Sequence, residues 1–163
     1  VCWRGNAEGL GGFTYVNRLS LTTLQPTGMG FFGLMGSTAA LATTLALSAV
    51  VNAIGIGFQR GTHARWQLVA NDGTGAPTLI DMGAPFAIAT GGVLTLSIAA
   101  PPNGSSVWVR VLDEVSGAVF EQEITADLPA NTQFLSPRLF LNNGATAAAV
   151  AYDCSGVYLE TDY

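Results

Sequence analysis

Between residues 52 and 72 the chain reads NAIGIGFQRGTHARWQLVAND, and this alternation allows little except a pair of strands. Side chains on a strand point to opposite faces with a period of two, so Ile54, Ile56 and Phe58 share one face and Ala53, Gly55 and Gly57 the other. After a turn around Gly61, Trp66 and Leu68 fall on one side, and Arg65, Gln67 and Asn71 on the other. Two alternating runs joined by a short glycine-containing loop predict a β-hairpin. Its bulky apolar face needs a second layer to cover it. The opposite face begins flat and nearly free of side chains, which is unusual for a surface that meets only water.

The same grammar runs through the chain. Residues 13–24 read as a long strand with Phe13, Tyr15, Leu19 and Leu21 on one face, and FFGLM at 31–35 as a short buried strand. Further strands are expected near 80–83, 93–99, 106–112, 119–125, 133–141, 146–152 and 156–160. Clusters of Gly, Pro, Asn and Asp separate them at 71–75, 101–104, 113–117 and 142–144. About ten short strands with no convincing long helix predict an all-β fold, an antiparallel β-sandwich. Residues 37–58 carry no charge and are long enough to span a bilayer. Against a span stand their hydroxyl groups, Asn52, the absence of an aromatic belt or flanking basic cluster, and the strand periodicity at their end. Residues 37–47 are therefore expected to form a loop with a short helical turn. The domain reading is a lead-in from an upstream region at 1–12 and a single β-sandwich at 13–163.

Of the 163 residues 49% are hydrophobic and 10% charged, against roughly 25% charged in ordinary soluble domains. The six basic residues are all arginine. Such a surface is poorly solubilised in an isolated monomer, so the chain is expected to lie in a membrane or to hide part of its outside against copies of itself. A net charge of −5 argues against nucleic acid, which requires clustered Lys and Arg. Cys2 and Cys154 have no metal-ligand spacing, and a disulfide between them stays open because two cysteines do not fix it. The GLGG run at 9–12 lacks the following GK[ST] of a phosphate loop and reads as a backbone bend. No cofactor is expected.

Three blocks in order resemble the C-terminal lectin-like jelly-roll domain of bacteriophage tail fibres and related virion proteins. They are RGNAEGLGGF with the strand after it, the pair FFGLM and NAIGIGFQ…WQLVANDGTG, and the ending ADLPANTQFLSPRLF with AAVAYDCSGVYLETDY. The resemblance implies a concanavalin A-like jelly roll and a homotrimer at the distal end of a fibre, assembled in the bacterial cytoplasm. The implied partners are other virion proteins upstream and host-surface polysaccharide or lipopolysaccharide, with no nucleic acid and no membrane insertion. In a trimer the flat face of Ala53, Gly55 and Gly57, and the alternating alanines that include Ala147 and Ala149, would be candidate subunit contacts. The resemblance supplies no ligand motif, so binding positions come from the residues themselves.

If Val107, Val109 and Val111 face the core, Trp108 and Arg110 lie outside as an aromatic–guanidinium pair, suited to stacking on a sugar ring or anchoring a subunit contact. Trp66 shares a face with Leu68 and reads as core. His63, the single histidine, sits with Arg65 at the tip of the central hairpin and completes the candidate ligand residues. A lone histidine cannot build a His-based zinc site, and no Ser-His-Asp arrangement is legible. Glu121 and Glu123 share a strand face with Cα atoms about 7 Å apart, a spacing open to the carboxylate pair of a glycan hydrolase. Nothing aromatic lies between them in sequence, so they read as a solvated face, and no catalytic residue is expected. Asp72 and Asp81 read as turn residues. The leading expectation is a non-enzymatic glycan-binding fibre tip. The alternatives are a purely structural trimerisation and fibre-capping domain, and a glycan hydrolase of concanavalin-like fold.

Overall fold

A computed structural model describes residues 1–161 as two five-stranded sheets packed face to face. The strands are β1 (Phe13–Thr23), β2 (Met29–Met35), β3 (Ala53–Gln59), β4 (Gln67–Asn71), β5 (Thr78–Asp81), β6 (Val93–Ala100), β7 (Val107–Asp113), β8 (Val119–Ile124), β9 (Ser136–Asn142) and β10 (Ala151–Thr161). The first sheet has the order β10-β1-β6-β7-β8 and the second β5-β4-β3-β2-β9, and every neighbouring pair is antiparallel. The all-β antiparallel sandwich of ten strands expected from the alternation is the observed architecture. Single 3-10 turns at Leu47–Ala49 and Ala84–Phe86 are the helical elements among the described residues, and none is long or apolar enough to cross a membrane.

The ending differs from the expected pair of strands. Residues 146–150 are irregular, and β10 runs unbroken from Ala151. A bulge absorbs Ser155, where the register against β1 steps from Arg18↔Gly156 to Leu19↔Cys154. The alanines before residue 151 therefore do not share a strand face; Ala147 and Ala149 are exposed in a loop. Asp162 and Tyr163 of the resembling block lie outside the described residues.

The core between the sheets follows the alternation. Tyr15, Leu19 and Leu21 of β1 and Leu94, Leu96 and Ile98 of β6 meet Phe32, Leu34, Ile54, Ile56 and Phe58 from the second sheet. Burying each large aliphatic side chain stabilises the fold by about 1.5–3 kcal/mol. Trp66 is core, edge-on to Phe58 at 4.9 Å between ring centroids and tilted on Phe32 at 5.9 Å. Residues 1–12 pack on the sandwich: Cys2 pairs with Leu135, and the Arg4 guanidinium donates to the carbonyls of Pro129 and Gly104. Both thiols are free. Cys2 is buried in the core and Cys154 is exposed on β10, so no disulfide joins the chain ends.

The outer face of the second sheet carries a second apolar layer. Phe31, Ala53 and Val69 face away from the main core and are covered by Leu47, Val50 and, less completely, Leu41 and Leu45. The charge-free stretch 37–50 is thus a lid folded over its own sheet. Its backbone polar groups need partners. Leu47 N–H donates to Gln59 Oε1 at 3.0 Å, Asn142 Nδ2 donates to the Leu45 carbonyl at 3.1 Å, and Arg138 Nη2 donates to the carbonyls of Ser37 and Ala39 at 2.7 Å each. The flat face corrects the subunit-contact expectation. Ala53, Gly55 and Gly57 are fully buried inside the protomer, and a Cβ on Gly57 would come within 2.5 Å of Leu47 Cδ1. The close packing that this face was built for is met by the chain itself.

Candidate functional site

With the second sheet covered by its lid, the first sheet presents its outer face to solvent. Val107, Val109 and Val111 turn inward from β7, so Trp108 and Arg110 turn outward, as the alternation requires. Trp108 is 53% exposed. Register then decides its neighbours. One row across the sheet reads Glu160, Thr14, Ala99, Trp108, Glu123, and the next reads Tyr158, Val16, Ser97, Arg110, Glu121.

The relief of this face follows from residue size. In these two rows the middle strands β1 and β6 contribute small side chains, while β10 contributes Tyr158, itself 53% exposed, and β7 contributes Trp108. The two aromatics stand on strands three steps apart, about 14 Å at the usual interstrand spacing. A shallow trough about two strands wide lies between them. On the Trp108 side it deepens into an open hollow of about 270 Å³ bounded by Ser97, Ala99, Trp108, Arg110 and Glu121. Arg110 Nε donates to Glu121 Oε1 at 3.0 Å, which holds the guanidinium beside the indole. Across the trough the Tyr158 hydroxyl donates to Glu160 Oε2 at 2.6 Å, and this bond raises the phenol's pKa and keeps it a neutral donor.

Chemically, the arrangement offers an aromatic face, charged groups at fixed height, and the hydroxyls of Thr14 and Ser97 on the floor. Exposed aromatics beside directional polar groups suit the apolar face and the hydroxyl edge of a pyranose ring. No aromatic lies between Glu121 and Glu123 in sequence; the sheet sets Trp108 directly opposite Glu123. Tyr158 was also missed as a site residue. Its outward position is legible from the alternation of Gly156, Tyr158 and Glu160, but its place across from Trp108 depends on pairing between strands distant in sequence.

His63 and Arg65 belong elsewhere. Both sit in the β3–β4 connection of the second sheet, and the fold does not bring them to the Trp108 face. His63 Nδ1 accepts the Gln59 N–H at 3.2 Å and so closes the turn, and burial lowers its pKa against a smaller opposing pull from Asp81. Arg65 pairs with Asp81 at 3.4 Å, and Arg60 donates to the Ile88 carbonyl. The basic hairpin tip is therefore tied into its own loops. Among the described residues no group of three or more His, Cys, Asp or Glu is placed to hold a metal ion.

No family model and no curated protein sequence matches the chain. Solved structures do match its fold. Lectin II from Ulex europaeus superposes with a TM-score of 0.65 at 12% identity, covering 99% of this chain and 78% of that one. The fold is that of the concanavalin A-like lectins. Peanut lectin gives 0.61 at 12% identity over 100% of this chain and 77% of its own, and the alginate lyase PA1167 from Pseudomonas aeruginosa gives 0.60 at 16% over 98% and 67%. The same jelly-roll sandwich thus carries sugar-binding and polysaccharide-cleaving proteins, and at these identities the likeness extends to fold alone.

Proposed function

We propose that this domain is a non-enzymatic carbohydrate-binding module, displayed as a homotrimer at the distal end of a bacteriophage tail fibre, where it attaches the virion to host-surface polysaccharide or lipopolysaccharide. The observation that carries the reading is Trp108, a half-exposed indole beside an ion-paired arginine at the side of a trough floored by small residues. An indole leaves much apolar area in water when it has no partner, and a sugar ring covers it without demanding a deep cavity. The lectins of the same fold, one of them solved with galactose, support the ligand class. The resemblance of three ordered sequence blocks supports the fibre-tip setting. Threefold display would multiply a weak contact at each copy into useful avidity. The charge-poor composition favours self-association, with the exposed loop of Ala147 and Ala149 as the remaining candidate contact.

A glycan array probed with a multivalent form tests the reading: specific signals that vanish in Trp108→Ala support it, and silence across host polysaccharides favours the purely structural fibre-capping role. A monomer by light scattering at micromolar concentration overturns the trimer. One observation favours a second reading, glycan cleavage: the indole opposite Glu123 supplies the aromatic that the acidic pair lacked in sequence. Depolymerase activity lost in both Glu121→Gln and Glu123→Gln would establish it.

A further inference from the structure

We infer that the trough on the outer face of the first sheet selects amino-bearing glycans over neutral ones and rejects polyuronates, an inference that rests on the carbohydrate-binding reading above. The row that contains Trp108 is bounded by a carboxylate at each end, Glu160 on β10 and Glu123 on β8, and it holds no cation between them. The two arginines of this face lie in other rows. Arg110 is one row away and has its Nε committed to Glu121. Arg18 lines the hollow at the far end of the trough together with Asp153. Glu114, at the sheet edge, accepts the Thr95 hydroxyl and adds another negative charge. The Trp108 and Arg110 rows together carry three carboxylates, Glu160, Glu123 and Glu121, against one guanidinium.

A sugar stacked on Trp108 lies beside Glu123 on the neighbouring strand, and a chain running along the row reaches Glu160 three strands away. An ammonium group beside either carboxylate gains attraction, a neutral hydroxyl or acetamide is indifferent to charge, and a uronate beside either meets a like charge. The net charge of −5 adds a long-range field of the same sign, which slows the approach of any polyanion. The alginate lyases therefore share the fold with this chain, while the charge pattern here opposes a substrate such as alginate.

Isothermal titration calorimetry in mildly acidic, low-salt buffer, where the glucosamine amine is protonated, tests this with three hexasaccharides: glucosamine, N-acetylglucosamine and mannuronate. The glucosamine hexamer should bind roughly five-fold or more tightly than the acetylated one, and the mannuronate hexamer more weakly than either. Glu123→Gln and Glu160→Gln should each narrow that preference. Mannuronate binding as tight as the acetylated hexamer, or a preference unmoved by both variants, overturns the inference and leaves carbohydrate binding standing. Silence toward all three sugars overturns the inference, while carbohydrate binding itself is decided by the multivalent glycan array.

Discussion

Arg110 and Glu121 face each other across β7 and β8, with the guanidinium Nε donating to the carboxylate at 3.0 Å. Both side chains are about half exposed, at 45% and 63%. A pair so open to water is screened and contributes little to stability; its role is to hold the guanidinium beside Trp108. Glu121→Gln should therefore shift the urea midpoint by less than the equivalent of about 0.5 kcal/mol. A larger loss would show that the pair supports the fold, and would weaken its assignment to the binding face.

The lid over the second sheet makes a second prediction. Gly57 has Leu47 Cδ1 at 2.5 Å and the Gly30 carbonyl oxygen at 2.8 Å from where a Cβ would sit. Gly57→Ala should lift or distort the lid and destabilise by about 1–3 kcal/mol. The paired variant Gly57→Ala with Leu47→Ala should recover part of that loss, because the clash is removed along with the contact. Chemical denaturation of the wild type, both single variants and the double variant reads the coupling.

Two buried acids set an alkaline limit. Burial pushes the Cys2 thiol up to about 11, and it drives the Tyr15 phenol well above its usual value, with Cys154 and Tyr152 adding to the shift. In the folded chain both groups hold their protons to higher pH than in the unfolded chain. Their contribution is complete below the ordinary thiol and phenol values and is lost as pH rises from there through the raised folded values. Unfolding midpoints should fall across that alkaline window. The Tyr15 hydroxyl has no hydrogen-bond partner. Tyr15→Phe should accordingly be neutral at pH 7 or stabilising by up to about 1 kcal/mol, and should flatten the alkaline slope. A clear loss of stability at neutral pH would mean that the hydroxyl has a partner.

The two thiols should differ in access. Cys154 is exposed on the outer strand β10, whereas Cys2 is 1% exposed. A maleimide should label one thiol per native chain and two in denaturant, and Cys154→Ser should abolish the native labelling. Two labelled thiols in the native state would mean that residues 1–12 detach from the sandwich.

Local pattern carried most of the architecture. The period-two alternation at 13–23, 53–59 and 93–100 assigns strands and their inward faces from neighbouring residues alone, because a pleated strand sends successive side chains to opposite sides. The same local rule puts Trp66 in the core and Trp108 outside it. It failed where alternation had another cause. The alanines at 145, 147 and 149 alternate in a loop, and Gly55 and Gly57 alternate to make room for the chain's own lid rather than for a second protomer.

What only the tertiary structure decided is adjacency. No local signal pairs β1 with β10, or shows that residues 37–50 fold back over β2 and β3, because both depend on contacts between segments far apart in the chain. The candidate site is of that kind. Sequence alone determined that Trp108, Arg110, Glu121 and Glu123 point away from the valines and from Phe120 and Ile124, since each strand carries its own alternation. That Trp108 stands opposite Glu123, and across a trough from Tyr158, follows from hydrogen-bonded register summed over five strands. Register is a property of the assembled sheet.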